Sequence, residues 1–392
     1  MPKRKNFRPR EALVPERFKE ARMARGMTSS DLADKVGRSR QAISKYELGL
    51  IEPTAEVIYS LSNALDVPIS FFYKPLSAPD NRGTTYFRSL KTNAARAKEM
   101  LLTKSEWATQ IAHILSEDIV FPQFVFPALP IQFDSRDDLA LDEIEEITLS
   151  IRRQWKLGEA PISNMARLLE SHGFIIAATK TGLKETDACS AMVNGRPFIF
   201  LDMEKECAVR TRFNLAHEFG HLILHGSINQ SDLENKQLLE RIEKEANQFA
   251  SSFLLPQSSF LLDIYSTSLQ AFLPLKSKWK VSIQAMVYRC KELGIFNENQ
   301  MIYIQKQISA KRWRHNEPYD DEWKCEQPVV LRKAMQMLLD RGDYTKEQFL
   351  SLFRLNAADV EEICSLPKGF LSPNENSQAN TISVDFINKA RA

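Results

Sequence analysis

Residues 213–226 read FNLAHEFGHLILHG. His217 and His221 are four residues apart, which on a helix puts them about 40° apart on one face, so both imidazoles can meet one ion. Glu218 is rotated by about 100° from His217, off the ligand axis but within reach of a metal-bound water. This is the HExxH arrangement. A zinc ion (one per chain) held by two histidines and a carboxylate keeps its fourth position for water and lowers the pKa of that water to about 7. Glu218 would take the water's proton as base and return it to a leaving amine, the chemistry of peptide-bond hydrolysis.

Two histidines leave one protein ligand to find. His225 lies about 6 Å of helical rise beyond His221 and about 12 Å beyond His217, too far along a straight helix for one small ion to collect all three. A supporting role is expected for it. In the downstream segment EKEANQFASSFLLP, Glu245, Phe249 and Phe253 recur every four residues beside Ala246 and Ala250. A carboxylate on such an apolar face needs a partner, which makes Glu245 the leading third ligand. Glu243, set among charges and apparently facing solvent, is the alternative. Phe213, Ala216, Gly220 and Leu224 give the motif helix a small, apolar face. Glycine there costs about 1 kcal/mol relative to alanine, so another backbone is expected to approach at Gly220. Tyr288, Arg289 and His172 are candidates for a second group facing the scissile oxygen. The edge of a hairpin around Phe198 to Leu201 is where an extended substrate would pair. His315 and Cys325, near Asp320 and Asp321, follow no ligand spacing and read as solvated surface.

The second constellation is at the other end. Residues 28–49 read TSSDLADKVGRSRQAISKYELG. Ser29 and Ser30 can cap one helix and Ser39 a second, Arg40 to Glu47. Gly37 stands where the chain must turn with positive φ. Ala33 allows close approach and Ile43 plugs the pair, the geometry of a helix-turn-helix whose second helix enters the major groove. That helix presents Arg40, Gln41, Ser44 and Lys45, with Ser29 and Arg38 as flanking DNA contacts. Arginine can pair with guanine O6/N7 and glutamine with adenine N6/N7. Charge agrees: the first 50 residues carry 13 Lys/Arg and 6 Asp/Glu, net +7, in a chain of net +2, so the rest carries −5. A basic end on a mildly acidic body suits nucleic-acid binding.

These sites need elements to hold them. FIIAAT and PFIFLD are short β-rich runs, and Asn194-Gly195 between apolar segments signals a tight hairpin. Helical periods cover Asp142 to Trp155, Ile162 to His172, Glu206 to His225, Leu233 to Leu255 and Ile283 to Leu293. Residues 74–90, rich in Pro, Gly, Ser and Asn, read as a linker. Helix 91–118 then carries Leu101, Ile111 and Leu115 on one stripe, bordered by Trp107 and Ile114, which is expected to pack against a second copy and give a homodimer. If self-cleavage occurs, it is expected in this exposed linker, between Pro75 and Leu90, or in the adjoining recognition region. The 392 residues allow several domains: 1–75, 76–135, 136–305 and a helical region 306–392. The longest apolar run, Phe174 to Ala178, is far too short for a membrane span. Five scattered cysteines without CxxC spacing exclude a disulfide framework and suit a reducing cytoplasm.

Residues 15–73 resemble the XRE (phage repressor, Cro-like) family of DNA-binding domains, which implies a five-helix domain binding an inverted-repeat DNA operator as a dimer. RTRFNLAHEFGHLILH followed by KEANQFASSFLLP resembles the ImmA/IrrE family of metallopeptidases over about residues 140–300. Carried onto this chain, the resemblance implies that His217, His221 and Glu245 hold zinc and that Glu218 is the catalytic base. It also implies an α+β zincin-like core that cleaves helix-turn-helix repressors in stress or mobile-element responses. The expected architecture is therefore multidomain, an all-α helix-turn-helix domain plus an α+β zincin-like domain with a helical C-terminal extension. The expected function is a DNA-binding regulator that cleaves a repressor or itself. The alternative is a regulator whose zincin-like domain senses a ligand or partner without proteolysis.

Overall fold

A computed structural model of the chain describes residues 12–76, 86–87, 92–135, 137–182, 188–204, 207–229 and 231–372. The N-terminal part is helical: α1 (Glu16–Ala24), α2 (Ser29–Val36), α3 (Arg40–Glu47), α4 (Ala55–Leu65) and a 3-10 turn at Ile69–Tyr73. Strand β1 (Tyr86–Phe87) and the long helix α5 (Thr92–Leu115) follow, then α6 (Leu141–Gln154) and α7 (Met165–Ser171). Next come β2 (Ile175–Thr179), β3 (Ala188–Val193), β4 (Arg196–Asp202), α8 (Ala208–Leu224) and α9 (Lys236–Leu254). The chain continues with α10 (Gln257–Asp263), α11 (Phe272–Trp279), α12 (Ile283–Glu292), α13 (Glu298–Ala310), α14 (Val330–Asp340), α15 (Lys346–Phe353) and α16 (Ala357–Ile363). This is a helical N-terminal region followed by a small-sheet α+β domain, as expected from the sequence.

Local chemistry sets the key elements. Thr28, rather than Ser29 or Ser30, caps α2; its hydroxyl accepts from the Asp31 amide while Asp31 reaches back to the Thr28 amide, a reciprocal capping box. Ser39 caps α3 as expected. Gly37 ends α2 with φ of 63°, a left-handed conformation that costs glycine least. Asn194 and Gly195 both have positive φ and close the β3–β4 hairpin.

The sheet runs in the order β1-β3-β4-β2. β3 and β4 pair antiparallel, whereas β2 and β4 pair parallel, Ile175 opposite Phe198 through Thr179 opposite Asp202. Phe198 to Leu201, read from sequence as a substrate edge, therefore sits in an internal strand with both sides paired. Side chains alternate between two cores. Ile176, Ala178, Ile199 and Leu201 join α6, α8, α9 and α12 on one face. Ile175, Ala177, Cys189, Ala191, Phe198 and Phe200 join a second core on the other.

That second core corrects two sequence readings. It contains Leu101, Trp107, Ile111 and Leu115 of α5, the N-terminal helices and the C-terminal helices together. The stripe expected to meet a twin is thus buried within its own chain. The Trp107 indole N–H donates to Glu20 Oε1 at 2.7 Å, and its ring meets Phe71 edge-on at 5.6 Å. The C-terminal region, which reads from sequence as an accessory domain for a partner, completes this layer. Both Arg25 Nη atoms donate to Asp359, at 2.8 and 2.6 Å. Asn356 donates to the Asp66 carbonyl and Lys74 to the Phe353 carbonyl. Glu362 accepts from Lys104 Nζ, Thr179 Oγ1 and the Lys180 amide, tying α5 to the end of β2. Most of the 74–90 linker, and with it the expected self-cleavage segment, lies outside the described residues.

Trp107→Ala should therefore destabilise the monomeric chain by about 3–5 kcal/mol, the usual cost of emptying a buried tryptophan site. Urea unfolding at several protein concentrations checks this, and a loss that appears only at dimer-forming concentrations would contradict packing within one chain.

Candidate metal centre and helix-turn-helix surface

Helix α8 crosses the sheet beside β3 and packs along α9. It carries His217, Glu218 and His221, all buried. Gly220 lies at the α8–α9 contact, where an added Cβ would stand 3.0–3.1 Å from the Phe249 side chain. The close neighbour is thus a phenyl ring, not the backbone expected from sequence. That ring is wedged between Phe219 and Phe253, at centroid distances of 5.2 and 5.9 Å.

The structure brings His217 and His221 together with Glu243, not Glu245. His217 Nε2 and His221 Nε2 are 3.0 Å apart, and the Glu243 carboxylate lies 3.5 Å from the first and 3.3 Å from the second. Among the described residues this is the group of three whose ligand atoms converge. Burial pushes the Glu243 carboxyl up; hydrogen bonds and charge from His217 and His221 in their protonated form outweigh it and hold it well below the usual range. Glu245 turns away. Its Oε2 is 2.9 Å from His225 Nε2, and its Oε1 accepts from the Leu139 amide. Glu245 does have the partner its burial demands, but that partner is His225. The physical reason is access: Glu243 keeps its side chain 17% exposed at the rim, whereas Glu245 at 2% is inside the core.

The neighbours fix both imidazoles in one tautomer. A carboxylate only accepts, so His225 Nε2–H donates to Glu245 and His225 Nδ1 accepts from His221 Nδ1–H at 3.0 Å. His217 Nδ1–H donates to Asn247 Oδ1 at 3.1 Å, and Asn247 is itself anchored by donating to the Glu243 carbonyl. Both Nε2 lone pairs are left facing the Glu243 carboxylate. A tetrahedral ion at about 2.0–2.1 Å from its ligands spaces them about 3.3–3.4 Å apart, close to the three separations found. The donor set fits zinc.

Glu218 accepts a hydrogen bond from Ser190 Oγ of β3 at 2.6 Å on its Oε2. Ser190, Asn247 and Glu243 are site residues that the sequence pattern missed or ranked second. The Glu243–Asn247 pair, polar and four apart, was the available signal for the open face of α9. His225 takes the supporting position expected of it. Of the other groups considered, Arg289 is fully buried and paired with Glu145, and His172 stacks on Trp155 at 3.9 Å. Tyr288 lines a cleft of about 600 Å³ between α8, α9, α12 and residues 313–320, whose wall includes Asn247, the partner of His217. His315 and Asp320 line that cleft too, and Cys325 Sγ accepts from Thr211.

At the other end, Arg40, Gln41, Ser44 and Lys45 are exposed along α3, with Arg38 exposed before it and Ser29 half-buried at the start of α2. Ile43 alone of α3 is fully buried. Four polar residues thus share one free helical face above an apolar underside.

Fold and site together define a helix-turn-helix protein with a metallopeptidase-type domain. Comparison with known proteins agrees. Residues 18–72 match the helix-turn-helix family, and residues 169–291 match the IrrE N-terminal-like domain of the M78 peptidase family. Through its N-terminal part the chain belongs to the helix-turn-helix regulators, and its residues 169–291 are similar to the IrrE N-terminal-like domain. It is similar to the uncharacterized HTH-type transcriptional regulator YqaE of Bacillus subtilis, 37% identical over 62 residues, 16% of this chain and 53% of that one. A prophage-derived uncharacterized HTH-type regulator of the same species, YonR, is 39% identical over 59 residues, 15% of this chain and 55% of that one. An uncharacterized transcriptional regulator in the ATPase CF(0) region of Rhodospirillum rubrum is 36% identical over 72 residues, 18% of this chain and 67% of that one. The chain spans about half the length of the two Bacillus relatives. Among the described residues, no helix is long and apolar enough to cross a membrane.

Gly220→Ala should lower stability despite the better helix propensity of alanine, because the Phe249 ring has no room to retreat and overpacking costs about 1–3 kcal/mol. Thermal unfolding is the measurement; an increased Tm would show that the ring yields.

Proposed function

We propose that the protein is a DNA-binding transcriptional regulator that carries a zinc-dependent endopeptidase. The observation that carries the enzymatic half is the convergence of two lone-pair-bearing Nε2 atoms and the Glu243 carboxylate beside Glu218. His217, His221 and Glu243 would hold the ion. When bound, zinc supplies Lewis acidity to water and to a scissile carbonyl. The Ser190 hydroxyl occupies Glu218 Oε2 and orients the carboxylate, so that Oε1 can accept the water's proton and return it to the leaving amine. Asn247 and the His225–Glu245 pair keep the two imidazoles aimed. The proposed substrate is a protein, a helix-turn-helix repressor or this chain itself. The HTH domain supports the other half: Arg40, Gln41, Ser44 and Lys45 would read an inverted repeat from the major groove, with Arg38 and Ser29 at its edges. A dimer on such an operator must use a surface other than the α5 stripe.

Zinc content separates the two glutamates. Full-length protein should hold about one zinc per chain, and Glu243→Ala should lose it. Glu245→Ala should retain the site with affinity weakened about 10–100-fold, as befits a partner of His225. Elemental analysis after dialysis against a weak chelator decides, and the reverse pattern would restore Glu245 as the ligand. Proteolysis itself is tested by incubating zinc-loaded protein with co-encoded regulators, with Glu218→Gln as the inactive control.

Arg40→Ala should cost about 1–3 kcal/mol of operator binding and relax specificity at one base pair. Electrophoretic shifts on a randomised operator library read both, and equal loss on every duplex would reduce Arg40 to a phosphate contact.

A further inference from the structure

The strand a peptidase substrate would join is already taken. β4 is internal, so the strand edge beside Glu218 is the outer edge of β3. There Tyr86 and Phe87 pair antiparallel, with Tyr86 opposite Ser190 and Phe87 opposite Cys189. Ser190 is the residue whose hydroxyl holds Glu218. The connection between the helix-turn-helix domain and α5 therefore adds its two-residue strand at the register position that touches the catalytic carboxylate. A peptide bound by strand addition makes its main-chain hydrogen bonds at such an edge, and two strands cannot share it.

We propose that Tyr86–Phe87 is an in-cis occupant of the substrate edge, and that an extended peptide must displace it to reach Glu218. This rests on the peptidase reading of the site. Among the described residues the pairing spans two residues, while β3 continues to Val193. A longer incoming strand can pair with more of β3 than the occupant does, so displacement favours a substrate that presents an extended segment over a folded one. The occupant belongs to the segment that joins the two domains, so access to the site is linked to where that segment is held.

The test needs no proteolysis. In the full chain, hydrogen exchange of the Cys189 and Ser190 amides is compared between wild type and the double variant Tyr86→Pro/Phe87→Pro, which cannot donate to the ladder. The amide of the two that faces β1 should exchange at least about tenfold faster in the variant. A fluorescein-labelled synthetic peptide of residues 80–91 should bind the variant at least about tenfold more tightly than wild type by anisotropy. Unchanged exchange together with equal peptide binding would overturn the proposal. Should the double variant misfold, Phe87→Cys provides the second route, because directly opposed strand residues lie within disulfide range of Cys189. Oxidation should give an 87–189 crosslink that is absent in Phe87→Cys/Cys189→Ser. The locked chain should bind the peptide no better than wild type. Failure to crosslink, or peptide binding that improves on locking, would also overturn the occupancy. Zinc retention in these variants keeps the peptidase reading separate: metal bound without edge competition sinks the occupancy alone.

Discussion

A small sheet with apolar side chains on both faces must be covered on both, and that requirement organises the molecule. Period-two alternation along β2 and β4 sends Ile176, Ala178, Ile199 and Leu201 one way and Ile175, Ala177, Phe198 and Phe200 the other. Neither set can be left to water at about 25 cal/mol per Å² of apolar surface. The first is covered by α8 and the helices around it. The second has no helix of the peptidase-like domain to cover it, and α5, α14 and α16 take that place. The helix-turn-helix bundle then packs on the far side of α5 through Phe71 and Trp107. The exposed face of α3 and the candidate metal centre consequently lie on opposite sides of one sheet.

The same economy of faces explains the site. On α9, positions 245, 249 and 253 look into the core, while Glu243 faces His217 and His221 and Asn247 lines the cleft. A carboxylate in the core must be hydrogen-bonded, and His225 satisfies Glu245. A carboxylate placed to bind a working ion would have to stand where water and substrate can reach the fourth position, and of the two Glu243 is the one partly exposed. The result is an ordered hydrogen-bond chain, His221 donating to His225 and His225 to Glu245, matched on the other imidazole by Asn247, with both Nε2 lone pairs converging. Each link serves to remove rotational choice from a ligand before any ion arrives.

Much of this was legible in the sequence where the signal was local. The HExxH spacing, the Ser39 cap, the Gly37 bend and the Asn194-Gly195 turn each depend on residues within one turn of structure, and all appear where their types predict. The carboxylate that converges with His217 and His221 was not, because burial was taken as the mark of a ligand, whereas the burial of Glu245 is met by His225. Ser190 was invisible for a different reason: a lone serine in an apolar strand acquires its role only when α8 is laid across β3. The α5 stripe was read correctly as a surface needing cover, but sequence periodicity gives no address for the covering element. That address depended on helices more than 200 residues away. Arg25 and Asp359, 334 positions apart, could not be paired by any local rule.

β3 is where these strands of argument meet. Ser190 lies on the face that holds Glu218, while Cys189 and Ala191 on either side of it are buried in the core shared with α5 and the helix-turn-helix bundle. A strand is rigid across its own pleat, and close-packed cores do not deform continuously. The two halves therefore use opposite faces of one short strand, which the two-sided sheet enforces.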